Sequence, residues 1–287
     1  MHKEQWSIST PNPYCLKLTT LSHGWVNLDP YSWEESTETL QRLEYVEGQE
    51  MLVKIMIMQD SSSSLSIKAL SEKPLLQNTK KLLSEKIRRA LNLDFNTRNV
   101  CKVASCHNPE IARLIKAGGG RFLRGTTLFE DVVKTLFTTN ASWKFTQKMV
   151  QNIIKSYGRE GAFPSPDDLK GISESKLRDK IRLGYRAKYL LNIIELFLTN
   201  RFEVHFNLNK VHGLGNYGMS HAKVLAGIFS EIPIDSEVRS YCRSNFLLET
   251  DKEIKEMFAH WGKYAFLGYK LGRQARKANW IGQLRNK

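Results

Sequence analysis

The 287-residue sequence predicts an α+β protein, a small N-terminal antiparallel sheet packed on a mostly helical remainder. Three observations point there. Apolar residues alternate in two short runs of the first quarter, they recur at helical spacing from Pro74 onward, and a glycine-punctuated turn near Gly213 joins two helical segments. The expected division is a β-rich subdomain over 1–95 and a helical domain over 96–287.

The strands come first. Val53, Ile55 and Ile57 share one face of a strand within Met51–Met58, and Leu65, Ile67 and Ala69 alternate likewise. Asp60 and the serines 61–64 between them predict a hairpin connection. Tyr14–Leu18 and His23–Asn27 read as further strands. Pro74 then opens a helix running to about residue 93, with Leu75/Leu76, Leu82/Leu83, Ile87 and Ala90/Leu91 on one side. Further helices are expected over 109–117, 127–139, 143–157, 174–181, 186–200, 217–229, 236–247, 251–259 and 261–276. Gly118–Gly120, the Gly158–Pro166 stretch and the turn near Gly213 break them.

Composition narrows the partners. Lys plus Arg number 43 against 29 Asp plus Glu, a net charge of +14, which suits a polyanion. No basic amphipathic helix with a strong Trp/Phe/Leu face stands out, so nucleic acid is favoured over a membrane. No apolar run is long enough to span a bilayer, and residues 1–15 lack the apolar core of a signal peptide. Cys15, Cys101, Cys106 and Cys242 are scattered, as free thiols in a reducing compartment would be. The expected location is therefore the cytoplasm with its nucleoid, or the nucleus in a eukaryote. Cys101, Cys106 and His107 lack a fourth metal ligand, so no metal is expected there. No cysteine follows Cys242, which excludes a C-terminal four-cysteine iron–sulfur cluster.

The chemistry concentrates in residues 210–239. Gly213-Leu-Gly215-Asn-Tyr-Gly218 matches GxGxxG, with Asp235 about twenty residues on. A dinucleotide site needs a buried strand directly before the first glycine, but Asn207–His212 is polar and the segments upstream are helical. The other reading is a helix-hairpin-helix with its hairpin at 211–217. The amides of Gly213, Gly215 and Tyr217 would gather at a helix N-terminus, where they can hold a phosphate. The hairpin carbonyls also offer a monovalent-cation site. A ligand-free helix connection has the same pattern. Asp235, directly before Ser-Glu-Val-Arg, is a good helix N-cap. A carboxylate fixed by capping can also stabilise an oxocarbenium-like transition state or orient an attacking water.

At these residues the chain resembles the helix-hairpin-helix DNA glycosylases, in the branch of the 3-methyladenine and 8-oxoguanine enzymes. Gly213-Leu-Gly215 is similar to the hairpin and Pro233-Ile-Asp235 to the aspartate motif. Gly120–Asn140 resembles the first core helix and its approach, and Phe163–Leu169 with Leu183–Tyr189 the middle of the 8-oxoguanine enzymes. The resemblance implies base flipping on double-stranded DNA by a monomer, with Asp235 catalytic and Gly213, Gly215, Tyr217 and Gly218 on the DNA. It places Asn140 as gap filler, Tyr185 as wedge and Arg186 near the opposite base, although Asn140 also suits a helix end and Tyr185 a core aromatic. Trp143, Tyr217 and Trp261 are candidate pocket walls, with Tyr264 and Phe266 as further aromatics.

Two departures shape the expected activity. The nucleophilic lysine of bifunctional relatives is replaced by Tyr217, which cannot form a Schiff base. Lys223, six residues on, reads as a surface lysine. The histidine two residues after the aspartate is replaced by Glu237. Together these imply a monofunctional glycosylase for an alkylated purine of the 3-methyladenine type, leaving an abasic site. The alternatives are an 8-oxoguanine-type enzyme or a non-catalytic damaged-DNA-binding protein.

Overall fold

A computed structural model describes residues 1–200 and 211–276. They form two units. One comprises Met1–Phe95 and the described residues from Arg121 to 200; the other comprises Asn96–Gly120 and the described residues from 211 onward. The helical region after residue 95 divides between both units.

The first unit carries a five-stranded antiparallel sheet: β1 (His2–Ser9), β2 (Tyr31–Glu34), β3 (Thr39–Val46), β4 (Met51–Ser61) and β5 (Ser64–Ser71), in the order β1-β5-β4-β3-β2. The β4–β5 hairpin closes at the Ser61–Ser64 pair, inside the expected serine run. Ile55 lies opposite Ala69 and Ile57 opposite Ile67, all buried. Tyr14–Leu18 and His23–Asn27, expected as strands, are helical instead: α1 (Leu16–Thr20) and a 3₁₀ turn (Gly24–Asn27). The turn brings the Trp25 indole inward to donate to Asp131 Oδ1 at 2.8 Å, so a tertiary hydrogen bond overrides local propensity. β1, β2 and β3 were not legible. The inward face of β3 carries Arg42 and Glu44 between Leu40 and Val46, which hides the apolar alternation.

Those two charges belong to a buried ionic layer. Arg42 donates from Nη2 to Glu130 Oε2 at 2.8 Å and also pairs with Glu44; Lys134 donates to Glu130 Oε1 at 2.7 Å. Thr126 Oγ1 donates to Glu44 at 2.6 Å. Glu130 and Lys134 lie on α5 (Leu128–Thr138), a helix buried almost all round and capped by Thr127. α2 (Gln77–Ala90) starts after Leu76, not at Pro74. α6 (Trp143–Tyr157), α7 (Glu174–Asp179) and α8 (Arg186–Leu198) complete the unit's main helices, Ser142 and Ser173 capping the first two.

In the second unit α3 (Arg98–His107) was not expected, since only Val100 and Ala104 of its residues are buried. It carries Cys101, Cys106 and His107. Among the described residues no group of three or more His, Cys, Asp or Glu could hold a metal ion. α4 (Pro109–Lys116) follows, then α9 (Gly215–Leu225), α10 (Ser236–Phe246), α11 (Asp251–Phe258) and α12 (Ala265–Arg276). The helix expected over 261–276 is broken at Gly262, whose φ of 53° and ψ of −125° end a 3₁₀ segment before α12 begins. No helix among the described residues is long and apolar enough to cross a membrane.

Candidate functional site

The hairpin is a turn entering α9 two residues earlier than the periodicity suggests. Gly213 and Gly215 have φ of 96° and 58°. A Cβ at Gly215 would meet nothing within 4 Å, so glycine is needed there for backbone conformation and leaves the surface open. Gly218 serves packing instead. A Cβ there would lie 2.9 Å from Leu214 Cβ, and its amide donates to the Leu214 carbonyl at 2.9 Å, so that amide is not available to a ligand.

Tyr217 stands half-buried on the first turn of α9, its hydroxyl 3.5 Å from His221 Nδ1 and the rings 5.6 Å apart. Burial, with Lys270 nearby, pushes the His221 pKa down to about 3, so the imidazole is neutral at neutral pH. Lys223 is engaged elsewhere: its Nζ donates to Glu231 Oε1 at 2.8 Å, and Glu231 also accepts from Ser220 at 2.9 Å.

Asp235 is the N-cap of α10. Its backbone is extended and its Oδ1 accepts the Val238 amide at 2.8 Å. Among the described residues nothing hydrogen-bonds Oδ2. The side chain is half-buried, held in direction yet open on one oxygen. Glu237 on the next turn pairs with Arg273 of α12, and Arg239 grips Asp251 through two bonds of 2.7 and 2.9 Å. A cavity of about 600 Å³ lies within this unit, its wall including Tyr217, Ser220, Glu231, Ile234, Arg239 and Asp251. Asp235 is not part of that wall. Of the expected pocket aromatics only Tyr217 reaches it. Trp261 is 4% exposed and packs on Gly268, where a Cβ would fall 2.5 Å from the indole. Phe266 is buried, stacked 6.3 Å from Phe229, and Tyr264 is half-buried. At the end of α12 Arg276 donates to Asn245 at 3.2 Å.

The first unit brings Asn140, Tyr185 and Arg186 together. Asn140 follows α5 in a left-handed conformation with φ of 46°, a region asparagine tolerates. Its Nδ2 lies 3.5 Å from the Tyr185 hydroxyl. Arg186 is buried: Nη2 donates to the carbonyls of Thr139 and, at 3.1 Å, of Asn140. Its guanidinium lies 4.6 Å from the centre of the Tyr185 ring and 6.0 Å from that of Phe145. Phe145 escaped the sequence reading; an aromatic exposed on the first turn of α6, five residues after Asn140, was the available signal. Trp143 is 41% exposed, with its ring edge against Gly24.

No protein-family model and no curated protein matches the chain. Solved structures do. The 3-methyladenine DNA-glycosylase of Archaeoglobus fulgidus superposes at a TM-score of 0.71 with 15% identity, over 95% of this chain and 99% of that one. The 8-oxoguanine glycosylase/lyase of Clostridium acetobutylicum, bound to double-stranded DNA with cytosine opposite 8-oxoguanine, gives 0.66 with 19% identity, over 97% and 99%. MBOgg1 in complex with a low-affinity DNA ligand gives 0.69 with 17% identity, over 97% and 100%. The fold is therefore that of the DNA glycosylases, the class the hairpin and aspartate motifs resemble. It is shared across nearly the whole chain with structures of both the 3-methyladenine and the 8-oxoguanine kind.

Proposed function

We propose that this chain is a monofunctional DNA glycosylase that hydrolyses the N-glycosidic bond of a flipped, alkylated purine. The observation that carries the reading is Asp235, a carboxylate oriented through one oxygen by a helix amide and open at the other, in the same unit as a hairpin with two positive-φ glycines. The amides of Gly213, Gly215 and Tyr217 hold a backbone phosphate, a contact that positions DNA without reading sequence. With the base flipped, Asp235 stabilises the positive charge that develops on the sugar and takes the proton of the attacking water. The products are the free base and an abasic site.

Strand cleavage is not part of this reaction. A Schiff base needs an amine at the sugar; Tyr217 has none, and Lys223 is tied to Glu231. A cationic alkylated purine is already a good leaving group, so one carboxylate and an aromatic surface suffice. Asn140 and Tyr185 occupy the gap left by the flipped base. The partner is damaged double-stranded DNA, bound by a monomer without a metal or organic cofactor, in the cytoplasm with its nucleoid or in a nucleus. A monovalent cation on the hairpin carbonyls would strengthen the phosphate contact.

The test is purified protein against duplexes with defined lesions, 3-methyladenine and 8-oxoguanine among them, with and without alkali. Release of methylpurine with strand breaks only after alkali is expected. Release of 8-oxoguanine alone would replace the substrate and keep the reaction class; binding without any release would reduce the chain to a damage-binding protein.

A further inference from the structure

Among the described residues Arg121 is a buried cation without a counterion. It is 2% exposed, and its Nη2 donates to the Phe95 carbonyl at 3.0 Å. Its Nε and Nη1 are enclosed and make no hydrogen bond. The group facing it is the Tyr14 ring, whose centre lies 5.8 Å from the guanidinium, and no described carboxylate acts on it. Other buried cations of the same unit are treated differently: Arg42 pairs with Glu44 and Glu130, and Lys134 with Glu130. Burial holds the Arg121 pKa below the usual guanidinium range. A buried charge without a partner is costly, and a ring face offsets only part of that cost.

The groups around Arg121 are unpaired as well. The Tyr14 hydroxyl is buried beside Thr19, and neither oxygen makes a hydrogen bond of ordinary geometry. Asn92, whose carbonyl accepts the Phe95 amide at 3.2 Å, leaves its buried Nδ2 unpaired. The guanidinium and amide nitrogens can only donate, and the hydroxyls can turn to do so. The cluster therefore combines spare donors with one positive charge, and all of it belongs to the first unit. We infer that Arg121 and the Tyr14 hydroxyl bind one chloride ion, with Thr19 and Asn92 as further donors. Chloride supplies the missing charge and accepts several donors at once, without the room that an oxyanion needs. It ties the start of α1 to the segment that leads into α5. Neither the hairpin nor Asp235 takes part, so the inference does not depend on the glycosylase reading.

The experiment separates chloride from ionic strength. Thermal unfolding of the full chain is followed in sodium chloride and in sodium glutamate at equal ionic strength, over about 5–500 mM. General salt effects on hydration act on wild type and variant alike, so the comparison is between them. Wild type should gain about 3 °C more from chloride than Arg121→Met does, along a curve that saturates. Tyr14→Phe, which keeps the ring and removes the hydroxyl, should need about tenfold more chloride for the same gain. Crystals of the wild-type protein grown in bromide should show an anomalous peak within hydrogen-bond reach of Arg121 Nε or Nη1. An equal response of wild type and Arg121→Met overturns the inference, and so does an ordered water at that position with no anomalous signal. Should Arg121→Met fail to fold, the other two readouts decide: an unshifted Tyr14→Phe curve together with no bromide peak overturns the inference, and a bromide peak beside Arg121 upholds it.

Discussion

Glu130 and Asp235 are both carboxylates at the start of a helix, one in each unit, and they differ in what surrounds them. Glu130 is 1% exposed and accepts from Arg42, Lys134 and the Thr126 amide, so both oxygens are occupied. Asp235 is half-buried and accepts one amide on one oxygen. Burial alone would raise Glu130, yet Arg42 and Lys134 hold its carboxyl far below the usual range. The first is arranged to stay charged and hold elements together. The second is arranged to keep an oxygen for something outside the chain. Unoccupied acceptor capacity at a fixed position, more than burial or charge, separates the two roles.

The sharpest break in that comparison is expected at Glu130. Glu130→Ala leaves the buried Lys134 without its anion and Arg42 with Glu44 alone, and should cost about 3–5 kcal/mol, read from urea unfolding. A loss under about 1 kcal/mol would mean that water or relaxation reaches the layer. Asp235→Asn should do the opposite. Asparagine still caps α10, so stability should hold within about 0.5 kcal/mol, while single-turnover base release falls by about a hundredfold or more. Unchanged release on a confirmed substrate would remove Asp235 from the mechanism, and collapse of the fold would make it only a cap.

Acid sharpens the contrast further. The Glu130 pKa is lower in the folded chain than in the unfolded one, so its contribution is complete above about pH 4.5 and is lost as pH falls through the folded value. His221 acts earlier. Its folded pKa is about 3, against about 6.5 when unfolded, so below about pH 6.5 only the unfolded chain takes up the proton. Stability should fall by about 2 kcal/mol between pH 7 and pH 5, and His221→Gln should remove most of that slope. An unchanged slope would mean that the buried imidazole is protonated in place. The smallest effect is expected at the hairpin: Gly215→Arg should weaken binding to damaged and undamaged duplexes alike by about tenfold, through its positive φ. Unaltered affinity would move the phosphate contact elsewhere.

The sequence by itself determined the elements whose periodicity is clean and the residues whose spacing is local. The β4–β5 hairpin, the start of α6, the hairpin glycines and the N-cap at Asp235 all depend on interactions within a few residues, so the local pattern suffices. Only the tertiary structure decided the rest. The helical turns at Leu16–Thr20 and Gly24–Asn27, the strand holding Arg42 and Glu44, and the inward turn of Arg186 answer to partners about fifty to a hundred residues away in sequence. A buried charge looks like a surface charge until its counterion is found. Arg42 pairs with Glu44 within β3 and Glu130 with Lys134 within α5, but the bond from Arg42 to Glu130 joins separate elements, and no reading of neighbours along the chain supplies it.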